Sequence, residues 1–193
     1  MKGESDNSIS NVNIDNGDVF IGSKYQYTLN FDPPKVDSDA LISLIERYRD
    51  LDESDVNFLN VKEELEYYQE PLDSRKVFGL ENKLSKAGRK DLISIARNEK
   101  HKFATRLLKF QLASQESALH LNLLSKIEER FNAQIFPMIK NNEPFEIIDL
   151  AISKLIIDPI ANEVAPADAT LTAKQIRGMM YLLTGNCYLR WFE

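Results

Sequence analysis

A single cysteine, Cys187, stands in 193 residues. The chain therefore cannot form an internal disulfide, and its thiol use suits a reducing cytoplasm. Two histidines, His101 and His120, and that cysteine lie too far apart in sequence to give a metal-ligand spacing. No apolar run reaches the ~18 residues that a membrane-spanning helix needs, and no apolar stretch follows a basic start as in a secretory leader. Only seven glycines are present, and none is arranged as the G-x-x-x-x-G-K-[ST] loop that cradles a nucleotide phosphate. A net charge of −6 argues against a whole-protein footprint for nucleic acid or anionic membrane. These absences point away from metal, nucleotide and membrane chemistry, and no cofactor is expected.

What is present is mainly helical periodicity. Leu41, Leu44, Ile45 and Tyr48 share one helical face behind Ser38 or Asp39 as N-cap. Asp52 to Asp55 reads as a break and a new cap, followed by Phe58, Val61, Leu65 and Tyr68, with Pro71 as the stop. A short helix is expected over 74–87, ending near Gly88, and a longer one from Lys90 to about Leu112. The latter would turn Leu92, Ile95, Ala96, Phe103, Leu107 and Phe110 inward. Leu123, Leu124, Ile127, Phe131 and Ile135 predict a further helix that Pro137 kinks or ends. Pro144 opens and Pro159 closes the next one, a loop covers 161–169, and Thr172 and Gln175 have capping-box spacing. The last helix runs through Met179 and Leu183 to a Gly185-Asn186 turn.

The N-terminal part reads differently. In "NIDNGDVFIGSKYQYTLNF" the apolar and aromatic residues alternate, as in a strand with one buried face. Asn16-Gly17 is a strong signal for a two-residue hairpin turn, and Gly22 marks a bulge in the second arm. The expected fold is a mainly α protein: a polar tail and short β-hairpin over 1–34, then a single helical domain over 35–193. An isolated hairpin is marginal in water, so it needs a host surface. Val19, Ile21, Tyr25 and Tyr27 are therefore interface candidates, for docking or for self-association with a second copy.

Charge is segregated along the chain. Asp37 to Asp73 holds 12 acidic and 3 basic residues, a balance of −9, and Arg75 to Lys109 holds 11 basic and 3 acidic, a balance of +8. The plain expectation is that the two segments complement each other inside the fold. The alternative is that Arg89, Lys90, Arg97 and Lys100 contact nucleic acid. A catalytic Cys187–His pair is disfavoured, since a lone cysteine usually packs as a small apolar residue and His120 shares a face with Leu124, Ile127 and Phe131. The chain end, "CYLRWFE", is unusually aromatic, which makes Arg190 and Trp191 interface-anchor candidates.

The runs "ERFNAQIFPMI", "LIIDPI" and "IRGMMYLLTGNCYLRWFE" resemble the C-terminal domain shared by components of bacterial ABC-three-component conflict systems, to which Lamassu-type anti-phage defences belong. "GDVFIGSKY" is similar to short elements near the N-termini of bacterial defence proteins. The family pattern ends L-T-G-N-C-H-I-R-W, and this chain matches it except chiefly at Tyr188, which stands in place of the histidine. The resemblance implies a helical adaptor in a cytoplasmic complex. Its partners would be an SMC/ABC-type ATPase subunit and an effector subunit, with any DNA contact made within that complex. No effector domain fits ahead of the first helix, so no enzymatic activity is expected of this chain.

Overall fold

The computed structural model describes residues 12–15, 18–21, 32–72 and 79–192. The chain divides into two compact units, Met1–Pro33 and Pro34–Glu193. In the first, only the backbone of Val12–Asp15 and Asp18–Ile21 is described, as two short stretches in antiparallel register. The expected turn residues Asn16, Gly17 and Gly22, and Tyr25 and Tyr27, lie outside the described residues, as do the side chains of Val19 and Ile21.

The second unit is helical throughout its described part. Helix α1 (Ser38–Tyr48) is capped not by the expected Ser38 or Asp39 but by Asp37, and the Asp37 carboxylate accepts from the Ala40 N–H at 2.9 Å. Ser38 instead donates its hydroxyl to the Glu163 carbonyl at 3.0 Å. Helix α2 (Val56–Gln69) starts at the Asp55 cap and buries Phe58, Val61, Leu65 and Tyr68, as its spacing predicts. Then follow α3 (Gly79–Lys86), a short 3-10 turn (Lys90–Leu92) and α4 (Ile93–Lys109). Ile95 does not turn inward: it is 49 % exposed on α4, while Ala96, Phe103 and Leu107 are buried.

Two long helices carry prolines without ending at them. Helix α5 (Ser114–Arg130) continues through a π-helical turn (Phe131–Ile135) into α6 (Phe136–Lys140). Helix α7 (Phe145–Ala151) continues through a second π turn (Ile152–Ile157) into α8 (Asp158–Val164). A proline inside a helix has no N–H to donate, and its ring crowds the carbonyl four residues back. In both helices the residue just before the proline shifts its bond back by five: Phe136 donates to the Phe131 carbonyl and Asp158 to that of Ser153. The Leu155 carbonyl, which Pro159 cannot serve, accepts from Arg130 at 3.4 Å. The expectation that Pro159 lies beyond its helix is thus corrected, and the following loop starts after Val164 rather than at 161.

Helix α9 (Ala173–Gly185) fills the centre, with Ile176, Met179 and Leu183 fully buried. Thr172 is its N-cap residue but makes no side-chain cap bond, so the expected capping box is not formed. The principal helix contacts are α9 on α4, and α1 and α2 on α5. The α4–α9 crossing is close because Gly178 has no side chain. A Cβ there would stand 2.6 Å from the Glu99 carbonyl oxygen and 2.9 Å from the Phe103 Cβ. Beside it, Arg177 clamps the buried Glu99 carboxylate with two bonds of 3.0 Å. The Glu99 bonds, ahead of the opposing cost of burial, hold the Arg177 guanidinium above its ordinary pKa.

Gly178→Ala is expected to force the two helices apart and destabilise the fold by about 1–3 kcal/mol, despite alanine's better helix propensity. Urea denaturation would show this as a lower midpoint; an unchanged or raised midpoint would refute the crossing geometry.

Candidate functional site

Three helices end with the same backbone device, and the chain leaving each one lines a single cleft. After α3, Gly88 has φ 76° and the Arg89 N–H reaches the Leu84 carbonyl at 2.7 Å. After α6, Asn142 has φ 54° and the Glu143 N–H reaches the Met138 carbonyl at 3.0 Å. After α9, Cys187 has φ 73° and the Tyr188 N–H reaches the Leu183 carbonyl at 2.9 Å. Each is a left-handed cap with a bond back across five residues, which satisfies a helix-end carbonyl and reverses the chain. Glycine and asparagine are the residues that such a position favours. Cysteine is not, and its left-handed conformation costs about 1–2 kcal/mol that the surrounding contacts offset. The expected turn at Gly185 and Asn186 is therefore shifted: Gly185 ends α9, Asn186 is its C-cap, and the left-handed residue is Cys187.

What holds the third turn is a set of bonds to the end of α2. The Asn186 amide donates to the Tyr68 and Gln69 carbonyls, each at 3.0 Å. The Asn186 carbonyl in turn accepts from the Leu72 N–H at 3.2 Å. The Tyr188 hydroxyl donates to the Tyr67 carbonyl and lies 3.3 Å from that of Glu70. These are carbonyls of the α2 C-terminal turn, of which that of Tyr67 also accepts from the Glu70 N–H at 3.3 Å. Burial, with the neighbouring Tyr67 and Glu128 adding to it, pushes the Tyr188 hydroxyl above its usual pKa, so it stays a donor.

Beyond Tyr188 the chain is fastened again. The buried Lys83 ammonium donates to the Leu189 carbonyl at 3.2 Å. The Trp191 indole N–H donates to the Thr184 hydroxyl at 3.0 Å, and its ring centre lies 5.4 Å from that of Phe131. Trp191 is 4 % exposed. This corrects its role as a candidate interface anchor: the ring is part of the core. Arg190 is exposed and stacks at 4.1 Å over Phe136.

The cleft between these three ends has a volume of about 460 Å³, in the range of small ligand sites. Lys86, Arg89, Lys140 and Glu143 supply its charges, and Phe145, Trp191 and Phe192 its rings. Arg89 is already engaged, bound to Asp149 by bonds of 2.8 and 2.9 Å and lying 4.9 Å from the Phe145 ring centre. Its burial opposes the charge, but the bonds to Asp149 and Asp91 outweigh that and raise its pKa. Among the described residues, the lining offers charged groups, the Asn142 amide and aromatic surface. Among the described residues no three His, Cys, Asp or Glu side chains group to hold a metal ion, and no helix is long and apolar enough to cross a membrane.

The residues read as a nucleic-acid stripe are scattered. Arg89 is buried and paired, Arg97 is exposed but bonded to Glu81 at 2.6 Å, and Lys90 is exposed. Lys100 is half-buried, with burial lowering its pKa. Three arginines of the basic segment, among the described residues, pair outside the acidic one. Arg89, Arg97 and Arg106 find Asp149, Glu81 and Asp168, none of which belongs to the acidic segment. His120, weighed above as a catalytic partner, is fully buried edge-on to Phe103 and accepts from the Arg106 guanidinium at 3.3 Å. His101 is exposed on α4, and Cys187 is buried. Sequence reading missed Gly178, although a glycine inside a helical pattern costs enough to mark a packing reason.

The family model for C-terminal domain 9 of the ABC-three component (ABC-3C) systems matches residues 79–191, more than half of the chain. No curated protein and no solved structure matches it.

Asn186→Ala removes both donors from the α2 carbonyls and is expected to cost about 1–3 kcal/mol, read as a lower thermal midpoint. An unchanged midpoint would show that the amide does not fasten α2. A second expectation concerns pH. Burial, reinforced by the Arg106 charge, pushes His120 down from 6.5 to about 4. The unfolded chain then binds the proton near 6.5 and the folded chain only near 4, so the unfolded state holds more protons in between. This contribution is fully present above pH 6.5 and is lost as the pH falls towards 4, by about 3 kcal/mol in all. His120→Gln should lose less stability than the native chain between about pH 7 and about pH 4.5; equal losses would refute the assignment.

Proposed function

The chain belongs to the C-terminal domain 9 family of ABC-three-component systems, and from that premise we propose that it is a non-catalytic adaptor subunit of an anti-phage complex, acting in the cytoplasm. It joins the ATPase subunit to the effector subunit. The observation that carries this reading is how the family's terminal motif is used. Asn186, Tyr188 and Trp191 fasten α2, α9 and the chain end to one another. The motif thereby builds a rigid platform, and the side chains that distinguish it are engaged in holding the fold. A platform with an aromatic, charged cleft serves recognition of other proteins.

The N-terminal segment completes the proposal as a docking element. Its expected hairpin exposes strand edges, which a partner's sheet can extend. The proposal gives the chain no DNA contact of its own, because the arginine at the head of the expected stripe, Arg89, is buried against Asp149.

Co-expression of the tagged chain with the products of its neighbouring genes tests the reading. The ATPase subunit is expected to be retained through purification. Deleting residues 1–32 is expected to release a partner while the helical circular-dichroism signal persists. An ATPase neighbour that never associates would overturn the adaptor role. Retention of every partner by the truncated chain would overturn the role of the N-terminal segment alone.

A further inference from the structure

The segment from Asp37 to Glu70 carries 11 acidic residues, and all but the half-exposed Asp55 lie on the surface. The ion pairs of Arg89, Arg97, Arg106, Lys126 and Arg177 lead elsewhere, to Asp149, Glu81, Asp168, Glu163 and Glu99. Set among these carboxylates is apolar surface: on α2, Val56 is 66 % and Leu59 47 % exposed. Helices α1 and α2 precede the family match, which begins at residue 79, so this face lies outside the matched region.

Between α1 and α2, above α5, runs a groove of about 370 Å³. Leu44, Tyr48, Val61 and Leu121 give it apolar walls, and Glu64 stands among them. Asn122 lines it as well, and its side-chain oxygen is buried without a hydrogen-bond partner. A buried amide oxygen in that state is disfavoured until something donates to it. The groove thus offers three recognition elements together: an apolar slot, the Glu64 carboxylate in its wall on an acidic helix, and an acceptor awaiting a donor. A second groove, which shares Leu44 and Asn122 with the first, contains Arg47 and Lys126, so the acidic character belongs to the α2 side.

We propose that the α1–α2 groove docks a basic amphipathic helical segment of another protein. The segment's apolar side chains enter the slot, its lysines or arginines meet Glu63, Glu64 and the acidic residues around them, and one of its N–H groups bonds the Asn122 oxygen. Charge complementarity selects this occupant. A second copy of the chain, which has Lys90, Lys102 and Lys109 exposed, is the competing occupant, and the test below separates the two. The inference goes beyond the adaptor reading and does not rest on it.

The test uses the full chain and a fluorescein-labelled helical peptide of leucine and lysine, about 18 residues long, with anisotropy as the readout. Binding is expected at about 50 mM salt and at least about tenfold weaker at about 500 mM. The double variant Glu63→Lys/Glu64→Lys is expected to weaken it by about tenfold or more, and Asn122→Leu by several-fold. Both substitutions lie outside the fully buried core, and an unchanged circular-dichroism melt confirms that each variant is folded. Equal affinity for a leucine–glutamate peptide, or no effect of the double variant, would overturn the proposal. So would sedimentation showing that the chain dimerises and that the double variant abolishes the dimer, since the occupant would then be a second copy. Because neither ATPase nor effector is in the assay, failure here and failure of co-purification are separate results.

Discussion

The left-handed turn at Cys187 is the constraint on which the C-terminal half depends. Helix α9 is buried on most sides, so the chain leaving it cannot continue straight and has no solvent to satisfy its carbonyls. Reversing at Cys187 solves both problems. Tyr188 closes the helix end with its own N–H, and the reversal carries Asn186, Tyr188 and Leu189 towards α2 and α3, where donors meet acceptors. The cost of a non-glycine residue at positive φ is then set against several buried hydrogen bonds and the burial of Trp191. The Tyr188 hydroxyl is the donor that reaches the α2 end from this turn.

The same principle explains the prolines. In a buried helix a lost backbone bond must be replaced, and here a π turn ahead of Pro137 and Pro159 adjusts the register so that the helix continues. Arg130 then serves the Leu155 carbonyl across the α5–α7 packing. Because both helices pass their proline, each reaches far enough to be useful. The first places Asn142 and Glu143 at the cleft, and the second places Glu163 under α1, where its carbonyl receives Ser38 and its carboxylate receives Lys126.

How much of this could be read in advance follows from which physics governed each element. Periodicity located most of the helical segments, and it placed Phe58, Val61, Leu65 and Tyr68 inward because α2 lies on one layer with solvent behind it. It failed at Ile95, where α4 needs only a narrow stripe against α9 and the neighbouring position faces water. It stopped the α7–α8 helix at Pro159 because proline in isolation breaks helices, and only a neighbouring donor such as Arg130 rescues the freed carbonyl. Charge counts misled most. The balances of −9 and +8 suggested that the two segments complement each other, yet Arg89, Arg97 and Arg106 each found a carboxylate outside the acidic segment, while Lys90, Lys102 and Lys109 stay exposed. The aromatic chain end was correctly marked as unusual. Whether such an end packs at home or abroad depends on a receiving surface, here Phe131 and Thr184, that a linear reading cannot assemble.

The division of charge then acquires a different meaning. The acidic residues over 37–70 are exposed apart from the half-exposed Asp55, so negative charge is concentrated on the surface of this segment. Such a face costs self-repulsion in the folded state, and α1 and α2 bear it on the part of the chain that precedes the shared domain. Core packing gives no reason for it, since the apolar stripes of both helices already meet α5. A surface of 11 acidic residues against Arg47, Arg49 and Lys62, beside an apolar slot and an unserved acceptor, makes physical sense when a complementary surface relieves it. The C-terminal domain supplies a platform held by its own bonds, and the two helices ahead of it supply the surface that chooses what lands there.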